Sequence, residues 1–197
     1  MAPYYGSTAA LKERLGIEAA DTSRDTLLAA ALAAASRGID KATGRRFWLD
    51  DVPVQRTYRT AGRVVRHPDG DLLLVDDIGS PHLVVEVGSG TSFTAVTDYE
   101  TSPDNALADN KPITGLLRVL GDWGLETTRV RVSTRFGWPA EPDEITEASL
   151  IQASRLYRRK DSPEGVTGSA EWGVVRLSRR DPDVWNLIEP YVLPGFG

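Results

Sequence analysis

The stretch TSRDTLLAAALAAASRGIDKATGRR, residues 22–46, decides how the chain is read. Leu28, Leu32, Ala35, Ile39 and Ala42 recur at intervals of three and four, which places one apolar stripe along a helix. Thr22 reads as the N-cap, and Asp25, three residues on, suits the positive end of the helix dipole. Gly44 reads as the stop, because glycine takes a left-handed backbone at no steric cost, and Arg45 and Arg46 follow near the negative end. Ala29, Ala30, Ala33 and Ala34 keep much of the remaining surface small, which allows close approach of a second helix or subunit; alanine's helix propensity accounts for them equally well.

On the N-terminal side, Ser7 or Thr8 caps a short helix that Gly16 ends. On the other side, from Val52 to Trp138, the helical period disappears. Short runs rich in Val, Leu, Thr and aromatic residues alternate with turn clusters such as His67-Pro68-Asp69-Gly70 and Gly88-Ser89-Gly90. Val54–Tyr58, Leu72–Val75, Leu83–Val87, Ser92–Val96 and Thr127–Phe136 read as strands. In the last, Thr128, Val130 and Val132 alternate with Arg129 and Arg131, the pattern of one buried and one wet face. The stretch Ser102–Lys111 reads as a loop between strands.

A third helix starts at Pro142, with Asp143 and Glu144 in its first turn. Ile145, Leu150, Ala153, Leu156 and Tyr157 share one face and Ile151 points away from it, so this helix is expected to meet more than one neighbour. Its basic end, Arg155 to Lys160, suits the dipole. Beyond Asp161 the chain is punctuated by Gly and Pro, and only Trp172–Leu177 and Pro182–Ile188 look regular. Trp172, Trp185, Tyr191 and Phe196 are spaced along it as aromatic anchors, for a partner or for the same subunit. The expected fold class is therefore α+β. It comprises a small bundle of three main helices (1–48 and 139–161), an inserted β-rich block (49–138) and an extended C-terminal arm (162–197).

Composition narrows the function. The chain has 197 residues, no cysteine, two histidines and a formal net charge of -5. Thiol chemistry is excluded, and a free-standing nucleic-acid binder that works by neutralising phosphates is disfavoured. No apolar run is long enough to span a bilayer, and no basic-then-apolar leader is read at the N-terminus, so neither membrane nor secretion is expected. His67 and His82 each lie beside a proline, without metal-ligand spacing. Asp50-Asp51 and Asp76-Asp77 are adjacent pairs, whose side chains point to opposite faces of an extended chain; at most they bind a cation loosely. Gly88-Ser89-Gly90-Thr91 reads as a hairpin turn and not a nucleophile elbow, and no phosphate-binding glycine motif occurs. No catalytic residue, metal or cofactor is expected.

The residues Ala33-Ala34-Ala35-Ser36-Arg37-Gly38-Ile39-Asp40-Lys41-Ala42-Thr43-Gly44-Arg45-Arg46-Phe47 resemble the second helix of head-tail adaptor (connector) proteins of long-tailed double-stranded DNA bacteriophages, which ends in a similar Thr-Gly-Arg and aromatic. Thr97-Asp98-Tyr99-Glu100 resembles a segment in the β part of larger adaptors. Phe136-Gly137-Trp138-Pro139 leading into Pro142-Asp143-Glu144-Ile145 is similar to the family's entry to its third helix, and Leu156 to Gly165 continues the likeness. The ending Tyr191-Val192-Leu193-Pro194-Gly195-Phe196-Gly197 looks like those of adaptors from phages of actinobacteria.

The resemblance implies a structural virion protein at the head-tail neck, assembled in the host cytoplasm. By that resemblance it would be a homo-oligomeric ring, commonly of about twelve copies, and such a ring would need one heterologous contact repeated around it. The ring would sit below the portal protein and meet a stopper or tail-terminator protein. Double-stranded DNA would pass through its lumen without sequence-specific binding. Leu28, Ala29, Leu32 and Ala33 on the second helix, with Ile145 and Ile151 on the third, are the expected contact between copies; Trp172, Trp185, Tyr191 and Phe196 are the expected portal-docking residues. A stopper or tail-completion ring protein is the nearest rival. More distant are a β-type ligand-binding module using Trp123 or Tyr99, and a small hydrolase using Asp76 or Asp77.

Overall fold

The computed structural model of the chain describes residues 4–159, 166–167, 175–176 and 181–193. Two compact units emerge: Met1–Arg45 with Glu141–Gly197, and Arg46–Ala140. The first is helical and the second is built of strands, so the chain is α+β.

The helical unit contains α1 (Thr8–Leu15), α2 (Asp25–Thr43), α3 (Asp143–Arg158) and α4 (Pro182–Ile188), with a 3-10 turn over Glu189–Tyr191. The Ser7 hydroxyl accepts the Ala10 N–H at 3.1 Å to cap α1, and Gly16 ends it at φ 68°. Helix α2 starts two residues later than the sequence pattern indicates, with Arg24 and not Thr22 at the N-cap position. The Asp21 carboxylate takes the Ser23 N–H at 2.9 Å and holds residues 22–24 in a turn. Asp25 opens the helix and meets the buried Lys12 ammonium at 2.6 Å. Gly44, at φ 70°, closes α2 as expected.

Leu11, Leu28, Leu32, Ala35, Leu150, Ala153 and Tyr157 form the core of this unit. Each leucine so removed from water contributes roughly 1.5–3 kcal/mol. The buried stripe of α2 is broader than the expected one: Ala31, Ser36 and Thr43 are inside, while Ala42 is exposed. Hydroxyls are admitted there because they bond back along the helix, Ser36 to the Leu32 carbonyl at 2.8 Å and Thr43 to that of Ile39 at 2.9 Å. Ser36 Oγ also lies 3.3 Å from Ser149 Oγ on α3 and accepts the Tyr5 N–H at 2.9 Å. Small side chains thus permit a close helix crossing inside the subunit.

The β unit has two four-stranded antiparallel sheets. One is ordered β1-β8-β4-β5, from Val54–Arg59, Arg129–Thr134, Val84–Ser89 and Ser92–Val96. The other is ordered β2-β3-β7-β6, from Val64–His67, Gly70–Ile78, Ile113–Val119 and Glu100–Ser102. Both sheets supply one core: Tyr58, Val85, Val130 and Val132 from the first, Leu73, Val75, Ile78, Ile113 and Leu116 from the second, with Trp123 and Phe136. The alternation read around Thr128–Val132 is realised, with Val130 and Val132 inside and Arg131 over the Phe93 ring at 3.5 Å.

Between β7 and β8, Leu120 is 90% exposed at φ 53°, its N–H bonded to the Asp69 carbonyl at 2.8 Å. A left-handed backbone costs a residue with a Cβ roughly 1–2 kcal/mol, of which glycine's own entropy returns about half. Leu120→Gly is therefore expected to raise stability by about 0.5–1 kcal/mol, read as a higher urea midpoint at unchanged slope.

Val166–Thr167 and Val175–Arg176 pair antiparallel as β9 and β10. Among the described residues no helix is long and apolar enough to cross a membrane.

Candidate functional site

The residues expected at a contact between copies separate into two groups. Leu28, Leu32 and Ile145 are fully buried in their own subunit, because the most apolar positions of an amphipathic helix are taken up by the core. Ala29, Ala33 and Ile151 are half-buried and keep surface outside it. On the outer side of α2, Leu27, Ala30, Ala34 and Gly38 are exposed.

The expected docking arm is altered over its described part. Residues 181–193 fold back on the helical unit, so this part is not extended. The Asp181 carboxylate caps α4 through the Asp183 and Val184 N–H groups, and pairs with Arg155 on α3 at 2.5 Å. Val184 and Ile188, four residues apart, bury one face of α4. Tyr191 donates its hydroxyl to Glu144 at 3.0 Å, its carbonyl accepts from Arg45 Nε at 2.9 Å, and the Leu193 N–H reaches the Thr43 carbonyl at 2.8 Å. Trp185 and Tyr191 are half-buried in this arrangement, whereas Trp172 and Phe196 lie outside the described residues.

Burial and the Glu144 carboxylate push the Tyr191 phenol up to about 12. The folded protein prefers the neutral phenol, so the stabilisation is complete below the ordinary tyrosine value near 10 and is lost as pH rises through about 12. Alkaline titration at 295 nm is expected to show late tyrosine ionisation, to which buried Tyr58 and half-buried Tyr99 also contribute, and Tyr191→Phe is expected to reduce its amplitude by one tyrosine.

Features needed by the rival chemistries are used structurally. Trp123 is fully buried, donating Nε1–H to the carbonyls of Asp71 (2.9 Å) and Leu116 (3.1 Å), so it offers no stacking face to a ligand. Tyr99 is half-buried with its ring 6.5 Å from that of Trp123. Asp76 is held by Arg56 at 2.8 Å and Arg63 at 3.5 Å, and Asp77 accepts from Trp138 Nε1 at 3.0 Å. His67, at the end of β2, and His82, just before β4, are both exposed. Among the described residues no group of His, Asp or Glu is arranged to hold a metal ion.

The topology also assembles a feature that the sequence reading missed. Strands β1 and β2 are outer strands of the two sheets on one side, joined through Thr60–Arg63, and Arg63 lies 5.1 Å over the Tyr58 ring. On the opposite side the outer strands are β5 and β6, joined through Thr97–Tyr99. Residues 52–67 carry Arg56, Arg59, Arg63 and Arg66 with no carboxylate; residues 88–110 carry Asp98, Glu100, Asp104 and Asp109 with no lysine or arginine. The signal was present in the charge order, but only the strand order places the two runs at opposite edges.

This two-unit α+β architecture has counterparts. No protein-family model matches the chain, and no curated protein matches it. Solved structures that resemble it include a chain from the neck of an empty gene transfer agent (GTA) particle computed with C6 symmetry. The TM-score is 0.58 at 19% identity, over 96% of this chain and 91% of that one. A chain from the neck of a native GTA particle computed with C12 symmetry gives a TM-score of 0.45 at 17% identity, over 100% and 96%. The first likeness establishes a shared fold that takes in both units.

Proposed function

We propose that this chain is a structural neck protein of a phage-like particle: an adaptor whose ring of about twelve copies sits below the portal, joins the DNA-filled head to the tail and extends the DNA channel. The observation that carries the reading is the likeness to a GTA neck chain over nearly the full length of both proteins. The order of adaptor-like segments, from the Thr43-Gly44-Arg45 helix exit to the Pro142 entry of α3, points the same way. In this role the protein makes and breaks no bond, and the rigid tasks found for Trp123, Asp76 and Asp77 agree with a scaffold.

In the helical unit, the contact between copies falls to Ala29, Ala33 and Ile151, which retain accessible surface. The portal contact falls to the tail, where α4 presents Trp185, together with Trp172 and Phe196. The net charge of -5 suits a channel that lets DNA slide without adhering.

Particles assembled without this protein are expected to accumulate as DNA-filled heads free of tails, and added purified protein to convert them to joined particles. Joined particles forming in its absence would refute the proposal. Heads that hold the protein yet leak DNA when a later component is withheld fit an adaptor; heads sealed by this protein alone make it a stopper instead.

A further inference from the structure

We propose that the arginine-bearing β1/β2 edge of one copy docks against the acidic β5/β6 edge of the next. This inference rests on the ring reading and supplies its interface in the β unit.

Three observations carry it. First, each of β1, β2, β5 and β6 pairs on one side only among the described residues, leaving backbone donors and acceptors open for a further strand. Second, the charge on each edge is of one sign. Arg56 and Arg63 share Asp76, and Asp98 is bound by Arg118 at 2.7 Å, whose hydrogen bond holds its carboxyl below the usual carboxylate range. That leaves Arg59 and Arg66 on one side and, on the other, Glu100 on β6 with Asp104 and Asp109 in the loop that follows it, all exposed and in no ion pair with another described residue. Third, the two edges lie at opposite ends of both sheets. A cyclic ring requires two different, complementary patches on each copy, whereas a two-fold dimer would set like charge against like.

Edge charges that merely discourage aggregation do not need this separation by sign. Strand β5, SFTAV, carries no charge of its own and adds a short edge suited to backbone pairing, followed by the carboxylates that would select the partner.

The test scores ring formation of the full chain on assembled portal rings. Arg59→Glu with Arg66→Glu, and separately Glu100→Lys with Asp104→Lys, are each expected to lower ring yield at least about tenfold. Combining all four substitutions restores opposite signs and is expected to restore the ring. A control tests whether net charge alone is responsible: Arg59→Glu and Arg66→Glu with Glu13→Lys and Glu18→Lys keeps the total at -5 and is expected not to recover. Reversals that leave the yield unchanged, or a four-fold variant no better than its parents, overturn the proposal.

Should a reversal variant fail to fold, the absence of cysteine allows a second route. Arg66→Cys with Glu100→Cys, treated with a short bismaleimide on the assembled ring, should give a ladder of covalent multimers, and either single variant none. Rings that form without a ladder overturn the edge contact. Wild-type protein that forms no ring overturns the ring reading itself, a separate outcome.

Discussion

Trp123→Ala is expected to cost about 3–5 kcal/mol and to unfold the β unit under mild conditions. The indole is 0% exposed at the centre of the core shared by both sheets. Its removal leaves a cavity in the core cluster that the two sheets share, and leaves the Asp71 and Leu116 carbonyls without the Nε1–H they share. Trp123→Phe, which keeps most of the volume but loses that donor, is expected to cost less than half as much. Chemical denaturation followed by tryptophan fluorescence and circular dichroism measures both. The result bears on function too: a ligand-stacking aromatic would be removable with little loss of stability, so an intact β unit in Trp123→Ala would revive the binding-module reading.

Gly137→Ala is the second large effect. Gly137 sits at φ 111°, a backbone conformation that residues with a Cβ rarely adopt, and a Cβ built there would lie 2.0 Å from the Trp48 carbonyl oxygen. The neighbouring backbone cannot simply yield, because the Gly137 N–H is bonded to the Asp77 carbonyl at 2.8 Å and Trp138 packs its ring against Phe47 at 5.2 Å. A loss of at least about 3 kcal/mol is expected, read as a lowered urea midpoint. An alanine variant as stable as wild type would show that the segment adjusts freely. The same geometry explains why Phe136-Gly137-Trp138 requires glycine at its centre.

Helices α1, α2 and α3 were legible in sequence because of explicit ends, Ser7 and Gly16 around α1, Gly44 after α2, Asp143 and Glu144 at the start of α3, joined in α2 and α3 by a long apolar period; α4 read only as a regular stretch. The start of α2 was misplaced because Asp21 competes locally, turning Thr22–Arg24 before the helix begins. Strand β7 escaped notice although it lies inside its sheet. Gly115 interrupts its pattern, and the missing side chain is what lets Leu72 approach to within 2.7 Å of where a Cβ would stand. Strands β2 and β6 are four and three residues long, too short for a period to register.

The candidate surfaces were less legible than the fold. Leu28, Leu32 and Ile145 are the apolar residues that periodicity selects, and periodicity reports the subunit's own core before any contact between subunits. The folding back of Trp185 and Tyr191 depends on Arg155, Glu144 and Arg45, all distant in sequence. The opposed charges of Arg59 and Arg66 against Glu100 and Asp104 acquire meaning only from the order of strands across two sheets.

Whether the protein works as a ring on a portal is read from the mass of the full chain by light scattering, alone and mixed with assembled portal rings. One discrete complex that adds about twelve copies to each portal ring, dispersed as salt is raised, is expected. Protein that keeps its own mass in the presence of portal, at any salt concentration, would contradict it.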